Sequence, residues 1–411
     1  METNIKIFIS AYACEPSLGS EIGVGWHWVL EMSKYFELWV LTRKSNRHTI
    51  EPWIAEHPEY SKIHFLYYDW PEWARFWKKG LRGVRTYYNI WQWCTNCIVK
   101  RTMRENDIKI FHHLTYGNVL WSVSRYGQKQ FFIWGPVGGV ETIPTEYSKC
   151  YPWKMQLIEM LRRRIMKGLK FNRGFKKRCK NADLILCKTE ILQDMIPAQY
   201  KEKAVLFTDV AVDSMLDASE VRLSDLDKVV EYITVGRLDP WRGFDLIVEA
   251  FALAINKNKK IHLIIIGKGA DKARLQGLIA AKKLEGYITM VGAVSMEQYY
   301  NYMQQCDVVI NASLKEGAVT VSFDSMAMGK PLICIDTTGY TRYFSSDYAV
   351  LVGRQGRAAT IEELSKGILL LTDAYKRYEM GNKAQQAGSQ FTWKKRGEEI
   401  CLTIINALHD K

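Results

Sequence analysis

Short apolar runs alternate with helix-length segments along the whole chain, and that rhythm leaves few architectures open. In the first half the strand-like runs are Ile5–Ala11, Glu37–Thr42, Ile63–Tyr68, Ile108–Phe111, Phe131–Trp134, Leu184–Cys187 and Ala204–Phe207. In the second half they are Glu231–Val235, His262–Ile266, Ile288–Val291, Val308–Ile310, Leu332–Ile335 and Ala349–Val352. Helix patterns such as Phe244–Ile255 and Lys272–Lys283 lie between them. Strands joined by crossover helices run parallel and are covered on both faces. The pattern begins afresh near Glu231, after the loop-like stretch Asp213–Lys228. The expected fold class is therefore α/β, with two doubly wound domains over residues 1–213 and 214–391 and a cleft between them. Sheets of this kind bind ligands beyond the carboxyl ends of their strands.

Charge narrows the partners. The net charge of +13 is uneven: residues 1–228 hold 34 Lys and Arg against 25 Asp and Glu, and twelve of the fourteen tryptophans. Tyr151 to Lys180 alone carries eleven Lys and Arg against Glu159, interleaved with Met155, Leu157, Ile158, Met160, Leu161, Ile165, Met166 and Leu169. Two readings fit: an interfacial helix drawn to an anionic membrane surface, or a solvated basic helix packed on its domain. No nucleic-acid module is recognisable, so nucleic acid is not an expected partner. No apolar run approaches the roughly 18 residues of a membrane span. Met1–Asn4 leads straight into Ile5–Ile9 without a signal-peptide pattern. Nine scattered cysteines fit reduced thiols. A cytoplasmic location follows, with a peripheral position on the inner face of a membrane as its variant. Cys94 and Cys97 form a lone CxxC with no second Cys or His pair nearby, so no metal is expected there.

Two loops of the second half carry the chemistry. Val235-Gly236-Arg237-Leu238-Asp239-Pro240-Trp241-Arg242-Gly243 sets two guanidiniums beside two glycines at a strand end, suited to gripping a diphosphate. Glu316-Gly317-Ala318-Val319-Thr320-Val321-Ser322-Phe323-Asp324 places one carboxylate before a glycine turn and a second eight residues on, two helical turns into the next helix. Cations for phosphate and carboxylates for sugar hydroxyls together point to a nucleotide-sugar site. In the first half, the loop after Ile5–Ala11 holds Gly19, Glu21, Gly23 and Gly25 and opens a helix, where backbone amides can approach an anion or a sugar. Its GxxxGxG spacing and the Thr42-Arg43 that ends the next strand argue against a dinucleotide site.

These motifs resemble the retaining glycosyltransferases of family 4, whose two Rossmann-like domains adopt the GT-B arrangement, and the resemblance covers essentially the whole chain. In that family the cations of the first loop hold the donor diphosphate. Arg237 matches the arginine after Gly236, and Arg242 stands where lysine is usual. Glu316 matches the glutamate used at the donor sugar, and Gly317, Ala318 and Val319 a turn whose amides face sugar and phosphate. Asp324 replaces the glutamate that holds the ribose, a loss of about 1–1.5 Å of reach. Val291-Gly292 resembles the turn bordering the base. Phe391-Thr392-Trp393 resembles the start of the last helix, which returns to the N-terminal domain, so residues 392–411 are assigned there. A histidine after the Ile108–Phe111 strand lies in the family by the reactive face of the donor sugar; His112 and His113 both qualify, with His113 slightly favoured. Gly135-Pro136-Val137-Gly138-Gly139 reads as an acceptor-side loop or a plain turn.

The resemblance implies transfer of a sugar from a nucleotide-diphosphate donor to a saccharide or lipid-linked saccharide, with retention, in bacterial cell-surface polysaccharide synthesis. Arg237 and Arg242 would stabilise the departing diphosphate, and Gly19 and Glu21 would face the donor or orient the acceptor. With fixed cations in place, neither metal nor cofactor is expected. Rival readings are a sugar-phosphate synthase or phosphorylase, and a non-catalytic sugar-nucleotide-binding subunit of the same fold.

Overall fold

The computed structural model describes residues 5–16, 20–78, 83–124, 130–212, 228–317, 319–337 and 339–409. Gly19, Ala318 and nearly all of the expected linker 213–228 fall outside them. Two compact units emerge: Met1–Val140 with Leu169–Asp209 and Trp393–Lys411, and Glu141–Gly168 with Val210–Thr392.

The first unit is built on β1 (Lys6–Ser10), β2 (Glu37–Arg43), β3 (Ile63–Tyr68), β4 (Ile110–His113), β5 (Phe131–Val137), β6 (Leu184–Cys187) and β7 (Ala204–Leu206). They form a fully parallel sheet in the order β3-β2-β1-β4-β5-β6-β7. The second unit holds β8 (Val230–Val235), β9 (Ile261–Ile266), β10 (Ile288–Gly292), β11 (Val308–Asn311), β12 (Leu332–Ile335) and β13 (Ala349–Val352), also parallel, in the order β10-β9-β8-β11-β12-β13. β4, β6, β11 and β12 are buried at every residue, as expected of strands covered on both faces.

The helices that matter below are α1 (Ser20–Ser33), α2 (Val84–Cys94), α3 (Trp153–Lys167), α4 (Phe244–Ile255), α5 (Met296–Gln305), α6 (Thr320–Ala327), α7 (Arg357–Leu370) and α8 (Trp393–His409). α8 packs on α1, and Gly397 permits the approach: a Cβ there would meet the Glu31 side chain at 2.6 Å. α4 buries Phe244, Leu246, Ile247, Val248, Ala250 and Phe251 between its sheet and α7. Each of these side chains larger than alanine contributes about 1.5–3 kcal/mol on burial.

One expected boundary is corrected. Residues 141–168, placed by chain order within 1–213, pack in the second unit. Ile143, Tyr147 and Tyr151 join its core, and the Tyr147 hydroxyl lies 2.7 Å from Thr360 Oγ1 on α7. Glu159, 1% exposed, forms an ion pair with Lys315. The partners lie 156 and 213 residues away in the chain, and local periodicity carries no trace of contacts at that distance.

Two local expectations also shift. β4 begins at Ile110 and runs through His113, so both histidines lie inside the strand rather than after it, paired in register with Ile9 and Ser10 of β1. β5 continues through a cis Gly135-Pro136 bond to Val137, so the expected loop starts later.

Candidate functional site

A doubly wound sheet reverses its winding at one gap between neighbouring strands, and loops leaving the carboxyl ends on either side of that gap cannot cover it. The strand orders put these switch points between β1 and β4 in the first unit and between β8 and β11 in the second. The motifs legible in the sequence flank both.

In the second unit, the loop after β8 is wedged between its neighbours by glycines. Gly243 adopts φ +69°, and a Cβ there would come within 2.2 Å of the Ala312 carbonyl oxygen, in the loop after β11. Cβ atoms at Gly267 and Gly269 would strike the carbonyl oxygens of Gly236 and Leu238 at 1.8 and 2.2 Å. Three strand-end loops thus meet backbone to backbone, which fixes where Arg242 points. Arg242 Nη2 lies 3.0 Å from Glu316 Oε1, joining the two loops that carry the motifs. The guanidinium also sits 4.6 Å from the Trp241 ring centroid, and Lys315 approaches the same ring at 5.3 Å. Arg242 Nε is buried with no partner, leaving an uncommitted donor at the switch point. Arg237 turns instead toward Asp239, with Nε 2.5 Å from the carboxylate and the side chain 47% exposed.

Gly317 and Val319 lead into α6, whose first amides are free of helical partners as at any helix N-terminus. Asp324 lies in the middle of α6, 6% exposed, and accepts a 2.6 Å hydrogen bond from the Tyr299 hydroxyl on α5. The two motif carboxylates therefore have different partners, Glu316 an arginine and Asp324 a phenol. Gly292 ends β10 at φ +84° with open space where a Cβ would be. Asn311, at the end of β11, donates to Tyr340 at 2.7 Å and to Ser322 at 3.2 Å, and so anchors the loop to α6.

In the first unit, Glu21 in the first turn of α1 accepts a 2.6 Å hydrogen bond from the Tyr116 amide in the loop after β4, bridging the β1–β4 gap. Burial raises the Glu21 carboxyl above its ordinary range; Lys188 opposes the rise and Asp209 adds to it. Sequence reasoning missed what surrounds this bridge. Tyr12 follows β1 and packs edge-on to Tyr88, Trp91 and Tyr116 at centroid distances of 5.2, 5.2 and 5.0 Å. Tyr116 stacks on Tyr88 at 5.0 Å and lies 5.5 Å from Trp121. The Arg43 guanidinium lies 5.4 Å from the Tyr12 ring. Tyrosines directly after two strands that flank a switch point were the available signal.

His112 and His113 are 0% and 1% exposed. His112 Nε2 is 2.7 Å from the Gly135 carbonyl oxygen, and His113 Nε2 is 3.0 Å from the Tyr88 hydroxyl. Burial lowers their pKa values to about 4 and about 3, so both rings are neutral near pH 7. Neither reaches an open surface in this packing, because alternate residues of an interior strand face the helical layers. Between pH 6.5 and 4 the unfolded chain protonates these rings and the folded unit does not, so stability falls as acid is added. The expected loss is on the order of 3 kcal/mol per ring by pH 4. Urea denaturation of wild type and His113→Phe at pH 7 and pH 4.5 checks this: the variant should lose less on acidification, and equal losses would contradict it.

Among the described residues, no group of three or more His, Cys, Asp or Glu is placed to hold a metal ion, and no helix is long and apolar enough to cross a membrane.

Residues 222–387 match the family model of glycosyl transferases group 1. The GtfA subunit of a UDP-N-acetylglucosamine–peptide N-acetylglucosaminyltransferase from Streptococcus pneumoniae is 27% identical over 237 residues, 54% of this chain and 44% of that protein. A Campylobacter jejuni N-acetylgalactosamine-N,N'-diacetylbacillosaminyl-diphospho-undecaprenol 4-alpha-N-acetylgalactosaminyltransferase is 26% identical over 216 residues, 51% of this chain and 56% of that protein. The matched regions span between 44% and 59% of the first curated relatives' length. Among solved structures, a glycosyltransferase from Rickettsia africae aligns over 100% of both chains with TM-score 0.65 at 14% identity. Anabaena HepE in complex with UDP-glucose aligns over 98% of this chain and 100% of its own, with TM-score 0.59 at 16% identity. At such identities the likeness establishes the fold: two Rossmann-like units of the GT-B type.

Proposed function

We propose that this chain is a retaining glycosyltransferase of family 4, moving a sugar from a nucleotide-diphosphate donor to a saccharide or lipid-linked saccharide in bacterial cell-surface polysaccharide synthesis. The observation that carries the reading is the Arg242–Glu316 pair, 3.0 Å apart on the two loops that flank the second unit's switch point. Arg242 would turn to the donor diphosphate and neutralise the charge that builds as the glycosidic bond breaks. Arg237, exposed on the same loop, would add a second cation. Glu316, released from Arg242, would accept hydrogen bonds from donor-sugar hydroxyls. Gly236, Gly317, Ala318 and Val319 would bring backbone amides close to phosphate and sugar, and Gly292 would leave room beside the base. Asp324, shorter than glutamate and held by Tyr299, would meet the ribose from α6 with less reach.

Glu21 and the aromatic group around Tyr12, Tyr88, Tyr116 and Trp121 mark the acceptor side of the first unit. Sugar rings stack their C–H faces on such side chains while their hydroxyls seek carboxylates and amides. The undecaprenol-linked acceptor in the name of the Campylobacter relative supports a lipid-linked substrate here. His112 and His113, neutral and enclosed, are placed to position the β4 loop. Their role would be support of the site in place of direct contact with the donor sugar.

The arginines supply the positive charge that a divalent metal would otherwise bring, so turnover should persist in excess EDTA. A loss of more than about tenfold, restored by Mg²⁺ or Mn²⁺, would contradict that expectation. Retention is tested by NMR of the first-formed product from an α-linked donor: an α product supports it, and a β product overturns it. A donor that binds but is neither hydrolysed nor transferred would instead favour the non-catalytic subunit.

A further inference from the structure

Helix α3 (Trp153–Lys167) packs Met155 on the core of its own unit and buries Met166, and yet presents a second apolar stripe outward. Its inner face carries the helix's one carboxylate, Glu159, ion-paired with Lys315 at 1% exposure. Its outer face carries Trp153, Leu157, Ile158, Leu161 and Ile165, exposed by 69, 44, 54, 47 and 50%. At 100° per residue these five fall within one face of the helix, about 140° wide. Single exposed apolar residues need no explanation, but a contiguous stripe of five does.

The surroundings say what covers it. Lys154 and Arg164 lie within the stripe, and beside it a groove of ≈ 680 Å³ is lined by Ser148, Lys149, Leu157, Arg163, Arg164 and Lys167. Arg163 is committed in part, donating to the Ile143 carbonyl at 3.0 Å and to the Ser148 hydroxyl at 3.2 Å. With Glu159 turned inward, the outer bases have no carboxylate on their own helix to answer them. Another copy of this chain, bringing the same bases, would meet the face with like charge. An anionic surface with an apolar interior complements both features.

We infer that α3 is a docking helix for an anionic phospholipid bilayer: Trp153, Leu157, Ile158, Leu161 and Ile165 enter the acyl boundary, while Lys149, Arg164 and Lys167 receive lipid phosphates in the groove. The exposed stripe uses none of the residues named at the second unit's switch point, and the inference stands whether or not the donor reading holds. Long basic side chains at an interface serve both parts, with apolar stems toward the lipid and charged heads toward phosphate.

The full chain is mixed with vesicles of phosphatidylcholine alone and with vesicles containing 30% phosphatidylglycerol, and binding is read by co-sedimentation. Wild type should partition at least about tenfold more strongly into the anionic vesicles. Leu161→Ser/Ile165→Ser and Arg164→Gln/Lys167→Gln should each lower that partitioning at least about tenfold. All four substituted side chains are exposed, so both double variants should keep the wild-type melting temperature, and each is checked for it. Absence of binding to anionic vesicles overturns the inference, as does equal binding by either folded double variant. A dimer that dissociates on Leu161→Ser/Ile165→Ser would also overturn it and assign the face to a second copy.

Discussion

An Arg242→Ala variant should lose donor-dependent stabilisation and turn over about 10²–10³-fold more slowly than wild type, a change of about 3–4 kcal/mol in transition-state stabilisation. The size follows from position. Arg242 reaches across the switch point to Glu316 at 3.0 Å, is held against Trp241, and has a buried Nε with no partner. A diphosphate entering there meets a planar, fixed, two-pronged cation instead of a solvated one. Arg242→Lys restores the charge without the fork and should recover only part of the rate. The fold should survive both changes, because the side chain sits partly exposed on a strand-end loop and is not part of the hydrophobic core. kcat/KM with the preferred donor, measured beside the melting temperature of the free protein, separates the two effects. Unchanged turnover in Arg242→Ala would remove the residue from the reaction.

The largest stability effect is expected at a residue with no side chain. Gly243→Ala places a Cβ at φ +69° and 2.2 Å from the Ala312 carbonyl oxygen. Strain in the left-handed region adds to the displacement of one strand-end loop from the other, for a combined cost on the order of 3 kcal/mol. Because Ala312 precedes the Glu316 loop, donor affinity should fall as well. Gly277→Ala is the matched control: it sits in the exposed interior of the Lys272–Ala281 helix, with nothing within 4 Å of an added Cβ. It should stabilise by up to about 1 kcal/mol. Denaturant melts of the two variants should move in opposite directions, and a Gly243→Ala protein as stable as wild type would contradict the account of the loop junction.

The fold was legible because parallel strands buried on both faces write themselves as apolar runs; every run expected as a strand is one, within a few residues. The loops at the second unit's switch point were legible for a related reason. A switch point needs glycines for close approach and charges for a ligand, and both are local in sequence. Pairings were not. Nothing near Asp324 announces that Tyr299, on another helix, will hold it, and nothing near Glu159 announces Lys315. The same limit misplaced residues 141–168, whose aromatic residues complete a core contributed by distant segments. The strand-like run in the sequence ends at Phe111, because two consecutive histidines are polar by type. Buried between layers, each with an acceptor or hydroxyl on Nε2, they continue the strand by two residues. The orientation of α3 was the least legible of all: its composition fitted either a packed or an interfacial helix, and only the inward turn of Glu159 decides which face is outside.

The central claim is that the second unit grips a nucleotide-sugar through Arg242 and Glu316. A thermal-shift panel of UDP-, GDP-, ADP- and CDP-sugars at millimolar concentration, run on wild type, Arg242→Ala and Glu316→Ala, tests it most directly. One nucleotide class should raise the melting temperature of wild type, by an increment equivalent to about 2.7 kcal/mol when the donor is at a hundred times its Kd. Both variants should lose that increment while melting normally without donor. No stabilisation by any donor, or a wild-type-sized shift in Arg242→Ala, would contradict the claim.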